Sequence, residues 1–297
     1  MESQLAAAGV PCLPWRYYAD EDLVLLREAA ETGPLVLRSN RSDGGAGLSL
    51  IHDPSQLRDS WPAHRDGFLA AAPFLAPNLP LNVNACVFPG GEVSMHPASV
   101  QLIGIEGCTG RRFGYCGNDF TAVAALSDKQ MDELETLVRQ VGQWLAAEGY
   151  LGAFGIDAML YGEEILFIEL NPRFQGSSAM AAAIVRELDR PDLFLDHLSA
   201  FLGLPPPKSI QLRELARLRP AAHVVCHNVS KKIGHSRPAN LDQLPAHCSL
   251  LADSKVRIAR EAIRADLSFA QAVTANGFTL LPPVRQAVVA TLDMLFS

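Results

Sequence analysis

Apolar residues recur along the chain with two periods, and the changes between them mark out its elements. Residues 3–8 have helical propensity and stop at Gly9-Val10-Pro11, where a glycine precedes a residue that cannot continue a helix. Asp20 is the expected cap of a second helix over 21–32, ended by Gly33-Pro34. Leu35-Val36-Leu37-Arg38 and Leu48-Ser49-Leu50-Ile51 are short apolar runs on either side of the glycine cluster Ser42-Asp43-Gly44-Gly45-Ala46-Gly47, the pattern of a hairpin. A short helix around 55–63 and a strand over 68–75 follow. Longer strands are expected at 81–88 and 93–103, around the turn Pro89-Gly90-Gly91.

Ser127 with Gln130 forms the signature of a capping box for a long amphipathic helix reaching about 149. Its apolar positions Met131, Leu134, Val138, Val141 and Leu145 fall at three- and four-residue steps. Strands 154–160 and 165–170 then surround Tyr161-Gly162-Glu163, and a helix opens after Gly176-Ser177-Ser178. Pro205-Pro206-Pro207 reads as a boundary. Beyond it the pattern gives one strand at 222–229 and helices at 267–275 and 283–295. Antiparallel hairpins alternating with helices define an α+β chain.

Composition narrows the class. The 297 residues are 48% hydrophobic, which excludes a disordered chain. With 25 basic against 32 acidic residues and a net charge of −7, the chain lacks the basic surface of a general nucleic-acid binder. No apolar run approaches the ~20 residues of a membrane span, and MESQLAAAGV lacks the basic start of a secretory signal. The 6 cysteines form no C-x-x-C pair and read as reduced thiols of a cytoplasmic protein. Cys226, His227, His235, His247 and Cys248 have no zinc-like spacing.

The densest chemistry lies in GIDAMLYGEEILFIELNPRFQGSS, residues 155–178. Asp157 falls on one strand of the hairpin, with Glu169 near the end of the other. Glu169 and Asn171 are two apart and so share a face. Three oxygen ligands there suit Mg²⁺, which keeps several waters and shares phosphate oxygens; a solvated hairpin end is the plainer alternative. Arg173 continues the two-residue spacing and offers a bidentate grip on phosphate or carboxylate. The glycine cluster at 42–47 offers successive backbone N–H groups to an anion, or is simply a flexible turn. His96 and Gln101 fall on the strand at 93–103, where they would face a cleft, with a substrate or base role weighed for His96 against a structural one. Arg111, Arg112, Tyr115, Asn118 and Asp119 look like a rim, with Asn118-Asp119 read first as a turn.

An Arg closing a strand, a glycine-rich loop between strands, a proline-bearing hinge and a distal Asp…Glu-x-Asn-Pro-Arg hairpin occur in a fixed order. That order resembles the ATP-grasp fold of ligases such as biotin carboxylase and D-alanine–D-alanine ligase. ELNPRFQGSS is the most specific piece and resembles the carboxylate–amine ligase branch; the likeness covers about residues 1–204. It implies a helical piece at 1–31, a small subdomain at 32–76, a large metal-bearing subdomain at 77–204 and an extension at 205–297 packed on the large one.

By this resemblance Glu169 would bridge two Mg²⁺ ions, with Asp157 on the first and Asn171 on the second. Arg173 would bind the transferring phosphate. Ser42, Gly44, Gly45 and Gly47 would fold over the ATP phosphates, with Arg38 in the place of a phosphate-binding Lys. Ala72, Pro73, Phe74 and Leu75 match the adenine-reading hinge. Gly176, Ser177 and Ser178 would offer N–H groups to an anionic substrate. The implied activity is an ADP-forming ligase acting on small-molecule or peptide carboxylates and amines through an acyl-phosphate. A kinase shares the architecture, and a degenerate nucleotide-binding regulator or subunit is the rival. Family members usually carry a further N-terminal α/β domain; its expected absence suggests a second copy or a partner protein supplying that surface. No Lys precedes Lys129, so one usual phosphate ligand is missing, and Ala72 stands where an acid is common.

Overall fold

The computed structural model describes residues 1–19, 22–39, 44–57, 67–227, 229 and 264–296. Its helices are α1 (Glu2–Ala7), α2 (Leu23–Glu31), α3 (Asp128–Ala147), α4 (Ser178–Val185), α5 (Leu193–Phe201), α6 (Leu212–Leu215) and α7 (Pro282–Phe296). Its strands begin with β1 (Arg16–Ala19), β2 (Leu35–Ser39), β3 (Leu48–Ile51), β4 (Phe68–Pro73) and β5 (Leu79–Val87). They continue with β6 (Val93–Met95), β7 (Ser99–Ile103), β8 (Tyr115–Asp119), β9 (Gly152–Tyr161), β10 (Glu164–Asn171), β11 (Ala222–His227) and β12 (Arg264–Phe269).

Two antiparallel sheets divide these strands. The smaller runs β1-β4-β2-β3, and α2 covers one face through Leu26 and Ala30 on Leu35, Leu37 and Leu69. The larger has eight strands in the order β10-β9-β5-β7-β8-β11-β12, with β6 paired to β5. Strand β5 shows how the larger sheet acquires two different faces. Leu81, Val83, Ala85 and Val87 point to a core shared with Met131, Leu134, Val138 and Val141 of α3. The intervening Asn82 and Asn84 point the other way, toward Gln175 and Ser177. The α3 capping box forms as its sequence predicts, with Ser127 and Gln130 serving each other's backbone N–H. Truncating a fully buried leucine such as Leu134 in this layer costs about 2–5 kcal/mol.

Three expectations need correction. The strand expected over 93–103 breaks at His96-Pro97-Ala98 into β6 and β7, because Pro97 has no N–H to donate to a ladder. The helix expected at 267–275 is not there. Leu267 and Phe269 are buried while Asp266 and Ser268 are less so, a two-residue alternation that forms β12 against β11. Residues 16–19, inside a piece expected to be helical, form β1 of the small sheet. Helix α2 starts after Asp22, whose carboxylate accepts the Ala19 N–H at 3.1 Å. The expected cap Asp20, the loop residue Ser42 and part of the helix expected at 55–63 lie outside the described residues.

The C-terminal strands β11 and β12 extend the large sheet itself. Asp119, fully buried at the end of β8, fixes them there: its carboxylate accepts N–H groups from Thr121, Ala122, Val273 and Thr274. The N-terminal segment is held on the opposite edge, where Phe167 of β10 exchanges backbone hydrogen bonds with Pro11 and Leu13. Among the described residues no helix is long and apolar enough to cross a membrane.

The segment also joins the two sheets. Leu5 and Val10 enter the large core, while buried Glu2 accepts hydrogen bonds from Arg38 of β2 and Tyr17 of β1, each at 2.7 Å. Burial alone would raise the Glu2 carboxyl, but those two donors outweigh it and hold it below its ordinary 4.5. A depressed carboxyl stabilises the fold above its unfolded-state pKa, and that contribution is lost as pH falls through the folded-state value. Glu2→Gln should therefore destabilise the protein by about 1.5–3 kcal/mol at neutral pH, the usual worth of hydrogen bonds to a charged group. In urea titrations the gap between wild type and variant should close as pH drops below 4.5; a gap independent of pH would refute the assignment.

Candidate active site

Between the sheets lies a cleft of about 890 Å³. Arg38, Gly44 and Gly45 line it from the small sheet and its loop, Asn82, Gln101, Asp157, Glu169 and Asn171 from the large one. Arg173, Gly176 and Ser177 come from the segment between β10 and α4, and Pro73, Phe74 and Leu75 from the hinge.

Register places the acids. Asn82 of β5 lies opposite Asp157 of β9, which lies opposite Glu169 of β10. The last pairing depends on a bulge: Phe167 pairs with Ala158 and Glu169 with Asp157, leaving Ile168 as the extra residue. Phe167 is fully buried in the core. Strict alternation from it would send Glu169 and Asn171 into that core as well. The bulge turns both into the cleft, as bulges beside functional sites commonly do.

Asp157 accepts hydrogen bonds from three amides: Asn82 at 2.7 Å, Gln101 at 2.8 Å and Asn171 at 3.4 Å. Burial and the neighbouring Glu169 charge push its carboxyl up to about 7, against the lowering by Asn82, Asn171 and Arg173. Two acids side by side, one resisting ionisation for want of positive charge, fit a hard cation. Asp157, Glu169 and Asn171 would hold Mg²⁺, leaving its other positions to water and phosphate. Among the described residues no group of three or more His, Cys, Asp or Glu is placed to hold a metal, so a ligand set of two carboxylates and an amide is the chemistry present. Cys226 contacts Cys108 at 3.7 Å, and His227 reaches the Tyr115 carbonyl.

The sequence missed Asn82, Asn84 and Gln175, three of the amides that build this floor. Asn82 donates to Gln175 Oε1 at 3.0 Å and accepts from Ser177 Oγ at 2.6 Å, while Asn84 accepts from Ser178 Oγ at 2.7 Å. Gln175 lies across β9 because Gly155 has no side chain; a Cβ there would overlap the Gln175 amide. Further along, Tyr115 donates to Asn118, which donates to Ser99 Oγ at 3.0 Å, and His223 Nε2 lies 3.1 Å from the Tyr115 hydroxyl. A signal existed for two of these residues. In LPLNVNACV, polar groups occupy alternate positions of an otherwise apolar strand, which marks a second, chemically distinct face.

The other expected residues divide. Gly44, Gly45 and Gly47 all take positive φ, and Gly45 packs so tightly on the Phe113 carbonyl that a Cβ would overlap it. Gly44 and Gly45 line the cleft; Gly47 does not. Ala72 is buried in β4, leaving Pro73–Leu75 at the surface of the hinge. Ser178 is buried and engaged with Asn84, outside the cleft lining. Arg38 lines the cleft with its guanidinium on Glu2 and 4.1 Å above the Trp15 ring. His96 does not reach the cleft. It is fully buried beneath α5, 2.9 Å from Asp196, because the break at Pro97 turns β6 away from β7.

Comparison with known proteins agrees with this geometry. The ATP-grasp domain family matches residues 85–177. Among solved structures, carboxyaminoimidazole ribonucleotide synthase from Aspergillus clavatus, complexed with ATP, superposes with a TM-score of 0.64 at 17% identity, covering 98% of this chain and 70% of that one. Biotin carboxylase from Campylobacter jejuni gives 0.59 at 18% identity, over 76% of this chain and 49% of its own. The chain shares the fold of these structures, and its residues 85–177 match the ATP-grasp domain. By sequence it is similar to formate-dependent phosphoribosylglycinamide formyltransferases: that of Synechococcus sp. WH7803 is 30% identical over 200 residues, 64% of this chain and 46% of the relative. That of Salmonella arizonae is 28% identical over 203 residues, 66% and 47%. The chain spans about half the length of the curated relatives it matches.

The carboxylate pair is open to direct test. Glu169→Gln removes the neighbouring charge, so the Asp157 carboxyl should titrate below its starting value of about 7 while burial keeps it above 3.8. Carboxyl-carbon NMR reads this shift, and an unmoved titration would break the pairing. In wild type, protons compete with a divalent cation for Asp157, so Mg²⁺ affinity should weaken as pH falls below 7.

Proposed function

We propose that the chain is the ATP-binding and catalytic portion of an ADP-forming ligase that joins a carboxylate to an amine. The observation that carries this reading is the in-register pair Asp157 and Glu169 on the floor of an ATP-grasp cleft, with Asn171 and Arg173 following on the same strand end. The relatives' names include formate, a carboxylate, which fits the same substrate class.

The cleft divides the work. Adenine lies at Pro73–Leu75, where backbone groups read its edge, and the phosphates run under the glycine loop, with Gly44 and Gly45 as the N–H donors. Asp157, Glu169 and Asn171 hold Mg²⁺, which when bound neutralises phosphate charge and aligns the transferring group. Arg173 grips the substrate carboxylate and then the acyl-phosphate, with backbone N–H groups at Gly176 and Ser177 completing the anion site. One carboxylate oxygen attacks the γ-phosphorus of ATP as the bond to the bridging oxygen breaks, giving ADP and an acyl-phosphate. The amine nitrogen then attacks the acyl carbon, phosphate departs with the bonding pair, and the nitrogen loses a proton. Positioning and charge neutralisation do most of this work, and closing the glycine loop excludes the water that would hydrolyse the intermediate.

One observation favours a second reading, a nucleotide-binding protein that does not turn over: the Arg38 guanidinium is occupied by Glu2. Release of ADP and phosphate from ATP, measured with Mg²⁺ across a panel of small carboxylates with and without amines, separates the two. The ligase reading expects release that requires both Mg²⁺ and a carboxylate, and a fall of roughly 10²–10³ in kcat for Glu169→Gln, the size of losing one charge-stabilising group. ATP binding by calorimetry with no carboxylate-dependent release would overturn it in favour of the second reading.

A further inference from the structure

Helix α5 is built inside out. Its one carboxylate, Asp196, is fully buried and receives Ser94 Oγ at 2.6 Å and His96 Nε2 at 2.9 Å, with Arg190 at 3.5 Å. Leu193 and Ala200 complete the inner face against β5 and β9. Outward point Phe194, Leu195, Leu198, Phe201 and Leu202, continued by Leu204, with exposures from 36% to 74%. Leu195, Leu198 and Leu202 follow the i, i+3, i+7 spacing of a helix prepared for burial. Phe174, Phe194, His197 and Phe201 stack along one flank with centroids 4.8–5.0 Å apart, so the surface is rigid. A charged helix surface is the norm for an exposed element; here the apolar stripe faces water and the acid faces the core.

We propose that this face is the interface between two copies of the chain, packed α5 against α5 about a two-fold axis. Two observations select a second copy as the occupant. The first is charge. An isologous contact brings each charge close to its own copy, and this chain carries a net −7. Residues 193–207 contain a single charged residue, Asp196, and it is inside. The face can meet itself without like-charge repulsion. The second is area. At roughly 150–250 Å² per large side chain, the exposed fractions of the six residues amount to about 500–800 Å², reaching toward the ~800 Å² per partner of a stable interface. The placement also leaves both clefts open. Helix α5 lies over the Cys86 and Ala153 ends of β5 and β9, with Ala153 N–H on His197 Nδ1 at 3.0 Å; Asn82 and Asp157 lie further along the same strands, toward the cleft.

Sedimentation equilibrium on the full chain at roughly 20 µM, well above the micromolar constants of specific pairs, should give twice the chain mass. Leu198→Glu and Leu202→Glu should each weaken the dimer by at least about 100-fold, since each substitution places two carboxylates in one interface. Both positions are solvent-facing in the single chain, so ATP affinity should match wild type, and Tm should match that of wild type diluted until it dissociates. Val24→Glu, equally exposed on α2 of the small sheet, should leave the mass unchanged. A monomeric wild type, a dimer indifferent to both α5 substitutions, or dissociation by Val24→Glu as readily as by the others would each overturn the proposal. Loss of ATPase turnover with the dimer intact would bear on the catalytic reading alone.

Discussion

Holding two carboxylates side by side near one edge of an antiparallel sheet is the constraint around which this chain is arranged. Like charges at neighbouring register positions repel, and partial burial of Asp157 adds a desolvation cost. The fold surrounds Asp157 with neutral amides, which orient the carboxylate without cancelling its charge. Arg173 offsets part of the repulsion from beyond Asn171. The rest of the deficit stays in place, and on the proposed reading a cation would fill it. Asn82, Gln101, Gln175 and the bulge at Ile168 all serve that end.

Two fully buried aspartates, Asp119 and Asp196, are treated differently. Asp119 is satisfied by backbone N–H groups from two separate segments, and in being satisfied it fastens the C-terminal strands to the sheet. Asp196 is met by a serine, a histidine and an arginine, and fastens α5 to β6. His96 belongs to that bracket; burial pushes its imidazole below the ordinary range, so it serves as a neutral partner. One acid closed by the backbone, one closed by side chains and one left open divide the molecule into frame, surface helix and working site.

Much of this arrangement was readable from residue order. The capping box of α3, the hairpin at 152–171, the glycine loop and the Glu-x-Asn-Pro-Arg run each carry a local signal, because caps, tight turns and positive-φ loops depend on short stretches of chain. What escaped depends on distant partners. Glu169 faces Asp157 only through the bulge, and nothing in EILFIELN marks which residue is extra. Residues 267–275 have no period strong enough to oppose a helix until β11 supplies a neighbour. Asn82 and Gln175 are single amides whose importance arises only where segments 93 residues apart meet. His96 falls within the strand expected at 93–103, which breaks at Pro97. The inside-out face of α5 is visible in LFLDHLSAFLGL only once Asp196 is known to point inward.

The path of the large sheet has a temporal consequence. Strand β5 cannot acquire its partner β9 until some seventy further residues have been made, and β8 waits about a hundred for β11. Loop closure over such distances is slow, so topologies of this kind fold late and leave edges unpaired meanwhile. On the ribosome, residues 79–119 would therefore emerge as a half-sheet of open edges. Asn82 and Gln101 would be the first groups on the large sheet's side of the cleft in position, waiting for the aspartate they meet in the finished fold. The site comes into existence only with the closing of the fold, so an incompletely synthesised or partly unfolded chain has no exposed carboxylate pair with which to scavenge metal.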